Sequence, residues 1–371
     1  MSTNTPTHPA WVRHCFSDNY AQARQKFIAA AGKAGARLEH HVLDSGPLGA
    51  QGEPLATDVA LWGDPDARSL LIVTSGVHGA EGFCGSGCQV AWLEDEPAMS
   101  LARRQGVAVL LIHAVNPYGF SHLCRVNEDN IDLNRNFIDF SRLTDNPGYA
   151  ELHDLLLPET WPPTPDNEKA IAQYIAAHGR TAFHQAISTG QSAFPDGLFF
   201  SGTAPSWSNR TLRGILRQHG AGRSRIAWID VHTGLGRFGH GEKIHGGLPG
   251  ATENLRDTRA IWGADVVAAW EGESASRQVV GHAIGALFDE CPQAHGVGIA
   301  MEYGTRHDAD FNVLRASHWL RRYPGRSTPE QQAQIRQTQF EASYVNDDEW
   351  HGMITGQFRT AVIQACLGLG R

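Results

Sequence analysis

The chain has 371 residues, a formal net charge of −8, 41% hydrophobic and 19% charged residues, the composition of a globular protein with room for one large domain or two smaller ones. It has no run of eighteen apolar residues, which argues against a membrane-spanning helix, and its mild acidity without a basic stripe argues against nucleic acid as the main partner. The polar opening "MSTNTPTHPAWVRHCFSDNY" lacks an apolar signal core, so the expectation is a cytoplasmic protein whose six scattered Cys stay reduced.

In chain order, "SDNYAQARQKFIAAAGKAG" (17–35) begins with a Ser/Asp cap and ends at Gly, which predicts a helix. "ARLEHHVLDS" (36–45) and "DVALWGD" (58–64) predict strands. "SLLIVTSG" (69–76) is a short continuous apolar run, as expected of a strand buried on both faces. Residues 82–93 predict a helix, with Cys84 and Cys88 at the wrong gap for a CxxC zinc or redox motif. "VAVLLIHAVNP" (107–117) is the next buried strand, and a polar segment runs on to about Asn146. "LPETWPPTPDNE" (157–168) predicts a surface loop and "DNEKAIAQYIAAHG" (166–179) a helix. "SRIAWIDVHTG" (224–234) is a third buried strand, followed by the glycine-rich tract "GLGRFGHGEKIHGGLPG" (234–250), which reads as a flexible loop or lid. "ATENLRDTRAIWGADVVAAW" (251–270) predicts a helix, "GVGIAMEYGT" (296–305) a fourth strand, and the tail from "STPEQQAQIRQTQFEASY" to "EWHGMITGQFRTAVIQACLG" helices. Helices alternating with continuous apolar strands predict an α/β fold: a single domain over 1–371, with a mixed, mostly parallel sheet and helices on both faces, a core over about 36–310 and a C-terminal helical segment over about 309–371.

In open α/β sheets ligands bind beyond the carboxyl ends of the strands. Three predicted strands run there into reactive residues: "LLIVTSG" into His78 and Glu81, "RIAWIDV" into His232, and "GIAM" into Glu302. A catalytic zinc needs three protein ligands and one open position. His78 and Glu81, at i and i+3 in a glycine-rich turn, can aim at one point, with His232 closing the triangle; a solvent-exposed turn would show the same pair. The tract "NPYGFSHLCRVNEDNIDLNRNF" (116–137) holds Arg125, Asp132, Asn134 and Arg135. A guanidinium grips a carboxylate through two bonds or stabilises an oxyanion beside a metal, and Asp132 could hold a ligand imidazole; a solvated loop with local ion pairs is the alternative.

"HGAEG", "NPYGF…R…DLNRNF", "DVHTG" and "MEYG", in this order, resemble the zinc carboxypeptidase superfamily over roughly residues 58–310. The resemblance implies one zinc per chain bound by His78, Glu81 and His232. It implies Glu302 as general base, Arg125 polarising the scissile carbonyl, Asn134 and Arg135 on a substrate carboxylate, and Asp132 orienting His78. Zinc brings the pKa of its water to about 7, and a carboxylate within hydrogen-bond reach is a suitable base. The mobile Tyr that the digestive enzymes carry before the base is absent from "VVGHAIGALFDE", where only His282 could substitute. "DVHTG" and "E-x-G" are more similar to the succinylglutamate desuccinylase and aspartoacylase group, which suggests a bacterial-type branch between the two. The substrate implied is a small peptide or an N-acyl amino acid.

Rival readings are weaker. "GLGRFG" (234–239) matches GxGxxG but no helix follows, so dinucleotide binding is not expected. Neither a GxSxG elbow nor HExxH is present. His240, His245, His282, His295 and His307 are further candidates among 19 His, and His113 reads as a core residue of its strand. Asp230 shares a strand face with His232 and either supports it or is structural. A non-catalytic metal-binding module is the non-enzyme alternative; the presence of Glu302 beside all three candidate ligands favours a zinc hydrolase of an amide next to a free carboxylate. The sequence leaves the oligomeric state open.

Overall fold

A computed structural model describes residues 9–44, 46–277, 279–306 and 311–370. Eight strands form one mixed sheet: β1 (Arg37–Val42), β2 (Ala56–Trp62), β3 (Ser69–Ser75), β4 (Val107–His113), β5 (Arg225–Phe238), β6 (Gly241–His245), β7 (Val266–Val267) and β8 (His295–Gly304), in the order β1-β2-β4-β3-β5-β8-β6-β7. The four central strands are all parallel: β3 pairs with β4 and β5, and β5 with β8. Antiparallel pairing joins β1 to β2, β2 to β4 and β6 to β8, while β6 and β7 are parallel.

The apolar runs form strands because the sheet is covered on both faces, so every residue of β2, β3 and β4 is buried. The helices are α1 (Tyr20–Lys33), α2 (Gly82–Leu93), α3 (Glu96–Arg104), α4 (Pro117–Ser121), α5 (Pro147–Leu156), α6 (Pro165–His178), α7 (Arg180–Ser188), α8 (Trp207–Gly220), α9 (Thr252–Trp262), α10 (Ala286–Glu290), α11 (Phe311–Arg322), α12 (Pro329–Ser343) and α13 (Asp348–Leu369). Leu71 and Val73 of β3 point into a core shared with α1, α2 and α13. Leu70 and Ile72 point into a second core with α8 and α10. On α13, Trp350, Ile354, Phe358, Ala361, Val362, Ala365 and Leu369 form one buried stripe at helical spacing. Each large side chain on it contributes roughly 1.5–3 kcal/mol by burial. A third apolar cluster joins α5, α6 and α7 to α11 and α12, and that assembly forms one wall of the cavity described below.

Several predicted elements change at their ends. The cap of α1 is the Asn19 side chain, which accepts from Gln22 N, the residue directly after the predicted Ser17/Asp18 cap. The helix predicted over 251–270 stops at Trp262, because Gly263 takes φ +102° and the chain turns into β7. The glycine-rich tract 234–250 is not a flexible loop in its first half: β5 continues to Phe238 and β6 returns from Gly241. Glycine-rich sequence reads as a loop, but Gly234 (φ +119°) and Gly236 (φ +92°) instead carry the irregular end of β5 beside β8. Helices α3, α4, α5, α7, α8 and α10 had no counterpart in the sequence reading, while α11, α12 and α13 make up the helical segment expected over about 309–371.

Candidate metal and substrate site

Because β3, β5 and β8 are parallel, their carboxyl ends share one edge of the sheet. Beyond Ser75 the chain reverses at Gly76, whose φ of +65° favours glycine. His78 is extended and Gly79–Glu81 form a single 3-10 turn leading into α2. Gly79 N donates to Arg125 O and Ala80 N to Cys124 O, both at 3.1 Å. A Cβ on Gly79 would lie 1.9 Å from the carbonyl carbon of Gly119, so this close approach admits only glycine. The turn is thereby pinned to the Arg125 segment, and His78 and Glu81 face one point.

His78 Nδ1 lies 3.0 Å from Glu81 Oε1, and His232 Nδ1 lies 2.9 Å from Glu81 Oε2. The three residues are buried, and one donor atom from each lies within 4.8 Å of the others, a spacing that can hold a metal ion. Each imidazole turns its other nitrogen to a further carboxylate. His232 Nε2 is 2.7 Å from Asp230 Oδ2, whose Oδ1 accepts the Thr74 hydroxyl at 2.6 Å; Thr74 in turn accepts from Trp228 Nε1 at 2.8 Å. His78 Nε2 is 3.3 Å from Asp132 Oδ1, within ion-pair range but without hydrogen-bond geometry, and is left unpartnered.

Two ring nitrogens and two carboxylate oxygens that converge, each ring backed by an outer carboxylate, are the donor set a zinc or similar divalent cation takes. The charges agree. Glu81, Asp132, Asp230 and Glu302 bring four buried carboxyls against the two guanidinium groups of Arg125 and Arg135. The two carboxyls in excess of the guanidinium groups are balanced here by protons on His232 and Glu302, which a bound cation would displace. Burial pulls the His232 imidazole down, but Asp230 and Glu81 outweigh it and hold it well above its usual range. Burial likewise pushes Asp132 up, and Arg125, Arg135 and His78 outweigh it, so the carboxyl stays well below the usual range.

Glu302 sits directly across from His232 in the β5–β8 register, and its Oε1 accepts from Leu235 N at 3.1 Å. Burial and then the Glu81 charge push its carboxyl up to about 8, against the opposing pull of His232 and Arg125. Arg125 Nε donates to Asp132 Oδ2 at 2.8 Å, and its Nη1 is 3.5 Å from Glu81 Oε1. Asn134 and Arg135 sit in a 3-10 turn capped by Asp132, which accepts from Asn134 N at 2.9 Å. Arg135 Nε donates to Ser188 O and its Nη1 to Asn134 O, which leaves part of the fork for a ligand.

His78, Glu81, Arg125, Asn134, Arg135, His232 and Glu302 all line one cavity of about 440 Å³, and Asp132 stands behind His78 and Arg125. The structure therefore brings together every residue singled out for the site. The sequence reading missed Phe199, whose ring lies 5.6 Å from the Arg125 guanidinium and 4.9 Å from that of Arg135. It also missed Trp270 and His184, which line the cavity with His245 and His282. No local signal marks Phe199 in "DGLFF"; only the fold places it. His240 is an exposed turn residue and exposed His295 pairs with Asp257, while His307 lies outside the described residues. His113 is buried in β4, with Nε2 on Ser86 Oγ. All six Cys are buried free thiols. No described helix is long and apolar enough to cross a membrane.

Among solved structures, thrombin activatable fibrinolysis inhibitor is similar at 11% identity and TM-score 0.51, over 100% of this chain and 78% of that one. A metallo-carboxypeptidase from Pseudomonas aeruginosa, in complex with (2-guanidinoethylmercapto)succinic acid, is similar at 15% identity and TM-score 0.43, over 94% of this chain and 70% of that one. Carboxypeptidase A from Helicoverpa armigera is similar at 12% identity and TM-score 0.40, over 88% and 74%. The fold is the zinc carboxypeptidase-like one that the motifs implied. No curated protein matches the chain. Residues 16–357 match the model of a family described as "Protein of unknown function (DUF2817)", and the chain belongs to that family.

Proposed function

We propose that this member of the DUF2817 family is a zinc-dependent hydrolase of an amide bond next to a free carboxylate, acting on a small peptide or an N-acyl amino acid. The observation that carries the reading is the convergence of His78 Nδ1, His232 Nδ1 and both Glu81 oxygens in a cavity that also holds a free-standing carboxyl and two guanidinium groups. His78, Glu81 and His232 would hold the ion, which supplies Lewis-acid polarisation and a water that loses its proton near neutral pH.

The chain's own residues do the rest. Glu302 takes a proton from the attacking water and delivers it to the leaving nitrogen. Its raised pKa reflects burial and the nearby Glu81 charge, so Glu302 would move toward the ionised form a base requires when Glu81 holds a cation. Arg125 lies against Glu81 and Asp132, where it can stabilise the oxyanion that develops on the carbonyl. Arg135 and Asn134 hold the substrate carboxylate, so that bond cleavage is confined to amides beside a carboxylate. Asp132 and Asp230 fix the ring orientations of His78 and His232.

The test is elemental mass spectrometry of the purified protein together with turnover of N-benzoylglycyl amino acids and N-acyl amino acids. One zinc per chain is expected in the wild type and in Glu302→Gln, and its loss in His78→Ala/His232→Ala. Turnover is expected in the wild type alone. A protein that neither contains nor takes up zinc overturns the reading in favour of a non-hydrolytic module.

A further inference from the structure

The chain around Phe199 is pinned on both sides and turned in between. Leu198 is buried in the apolar cluster of α5, α6, α7, α11 and α12. Its N donates to the Tyr149 hydroxyl at 2.6 Å, and its O accepts from Gln191 Nε2 at 3.2 Å. Phe200 is buried in the core that holds Leu70 and Ile72 of β3, and its O accepts from Asp132 N at 2.9 Å. Between these two anchors Phe199 takes φ +50°, a left-handed conformation that is an outlier for a bulky side chain. Backbone strain of this kind persists where the surroundings over-determine it, and it collects at ligand sites. The result here is that two neighbours enter two separate cores while the Phe199 ring stays half-buried and lines the cavity.

The ring meets both arginines of the site. The guanidinium carbons of Arg125 and Arg135 lie over it, 5.6 Å and 4.9 Å from its centre, within the range in which the negative face of a ring attracts a cation. The two groups are like charges that share one carboxylate: Asp132 is 2.8 Å from Arg125 Nε and 3.9 Å from Arg135 Nη1. Burial pulls the Arg135 guanidinium down to about 10, Arg125 adds to the pull and Asp132 opposes it. A second carboxylate in place of Phe199 would steady both groups, but it would compete with a substrate for their N–H bonds. An aromatic face attracts both cations and occupies no N–H. Among the described residues neither Arg125 Nη2 nor Arg135 Nη2 has a hydrogen-bond partner, so both edges are left for a ligand.

We propose that Phe199 is the positioning residue for Arg125 and Arg135 as a pair, holding both guanidinium groups against one ring so that their free edges meet the same substrate. The proposal rests on the hydrolase reading above for the roles of the two groups, with Arg135 on the substrate carboxylate and Arg125 on the developing oxyanion. Weakening the ring face therefore loosens substrate binding and transition-state stabilisation together, and the two losses separate into KM and kcat.

The experiment replaces Phe199 by 3,4,5-trifluorophenylalanine, which keeps the shape of the ring and drains charge from its face, and compares it with Phe199→Leu, which keeps apolar volume without a ring. kcat and KM are measured for N-benzoylglycyl-phenylalanine on the folded, zinc-loaded proteins. With the fluorinated ring, KM is expected to rise and kcat to fall, each by roughly three- to tenfold, and Phe199→Leu moves both further in the same direction. Unchanged kinetics with the fluorinated ring, whatever leucine does, make Phe199 a filler of the cavity wall and overturn the proposal. A shift in only one of the two constants also overturns it, because the arginines are then not held as a pair. If the wild type cleaves no peptide, the hydrolase reading fails separately. Calorimetric binding of N-acetylphenylalanine to the wild type and the fluorinated protein then decides: weaker binding to the latter supports the proposal, and equal binding, or none to either, overturns it.

Discussion

His232 stands directly across from Glu302 in the parallel pairing of β5 with β8, one step before the regular ladder ends at Thr233 and Tyr303. The break that follows frees Leu235 N from the ladder, and it donates to Glu302 instead. A single register thus sets the distance between a candidate ligand and the candidate base, and the irregular end of β5 orients that base. Irregularities of this kind occur where a strand must aim a side chain.

Asp230→Asn should weaken zinc binding by roughly tenfold to a hundredfold, the usual cost of losing a carboxylate behind a ligand imidazole. Asp230 bonds both His232 Nε2 and the Thr74 hydroxyl, so it ties the ligand to the sheet interior. Chelator competition on folded protein measures the effect. Unchanged affinity would make Asp230 a structural residue only.

Arg135→Ala should raise KM roughly tenfold for substrates with a free carboxylate and leave KM for the corresponding carboxamide-capped analogues nearly unchanged. The capped comparison matters because Arg135 also supports Ser188 O and Asn134 O. An equal rise for both series would assign the loss to the collapsed wall and not to the carboxylate.

Stability should fall as the pH drops from about 6.5 to about 4. His113 is fully buried on β4, and burial pulls its imidazole from 6.5 to about 4. The unfolded chain therefore binds a proton in this window before the folded one does. The stabilisation is complete above 6.5 and is lost on acidification, by about 2 kcal/mol for this residue between pH 7 and pH 5. Urea melts at the two pH values measure it, and His113→Phe should remove that share of the difference. An identical pH dependence in the variant would show that other groups carry the acid sensitivity.

How much of this was legible in the sequence follows from particular residues. The buried strands β3, β4, β5 and β8 were read from uninterrupted apolar runs, because a parallel sheet covered on both faces requires them. His78, Glu81, His232 and Glu302 were found because each immediately follows, or sits at the end of, such a run, and the short spacings survive in sequence. The helix limit at Trp262 and the crossing from β5 to β6 within the glycine-rich tract were missed, since a glycine permits a turn, a strand end or a loop alike.

The sequence by itself determined the fold class, the sheet edge that carries the chemistry and the residue types gathered there, because local periodicity and strand-end position are properties of the chain. Only the tertiary structure decided which nitrogen of each imidazole faces Glu81, that Asp230 backs His232, and that Phe199 lies against both guanidinium groups. These depend on side chains from distant segments meeting in a space set by packing, and such meetings leave no pattern along the chain.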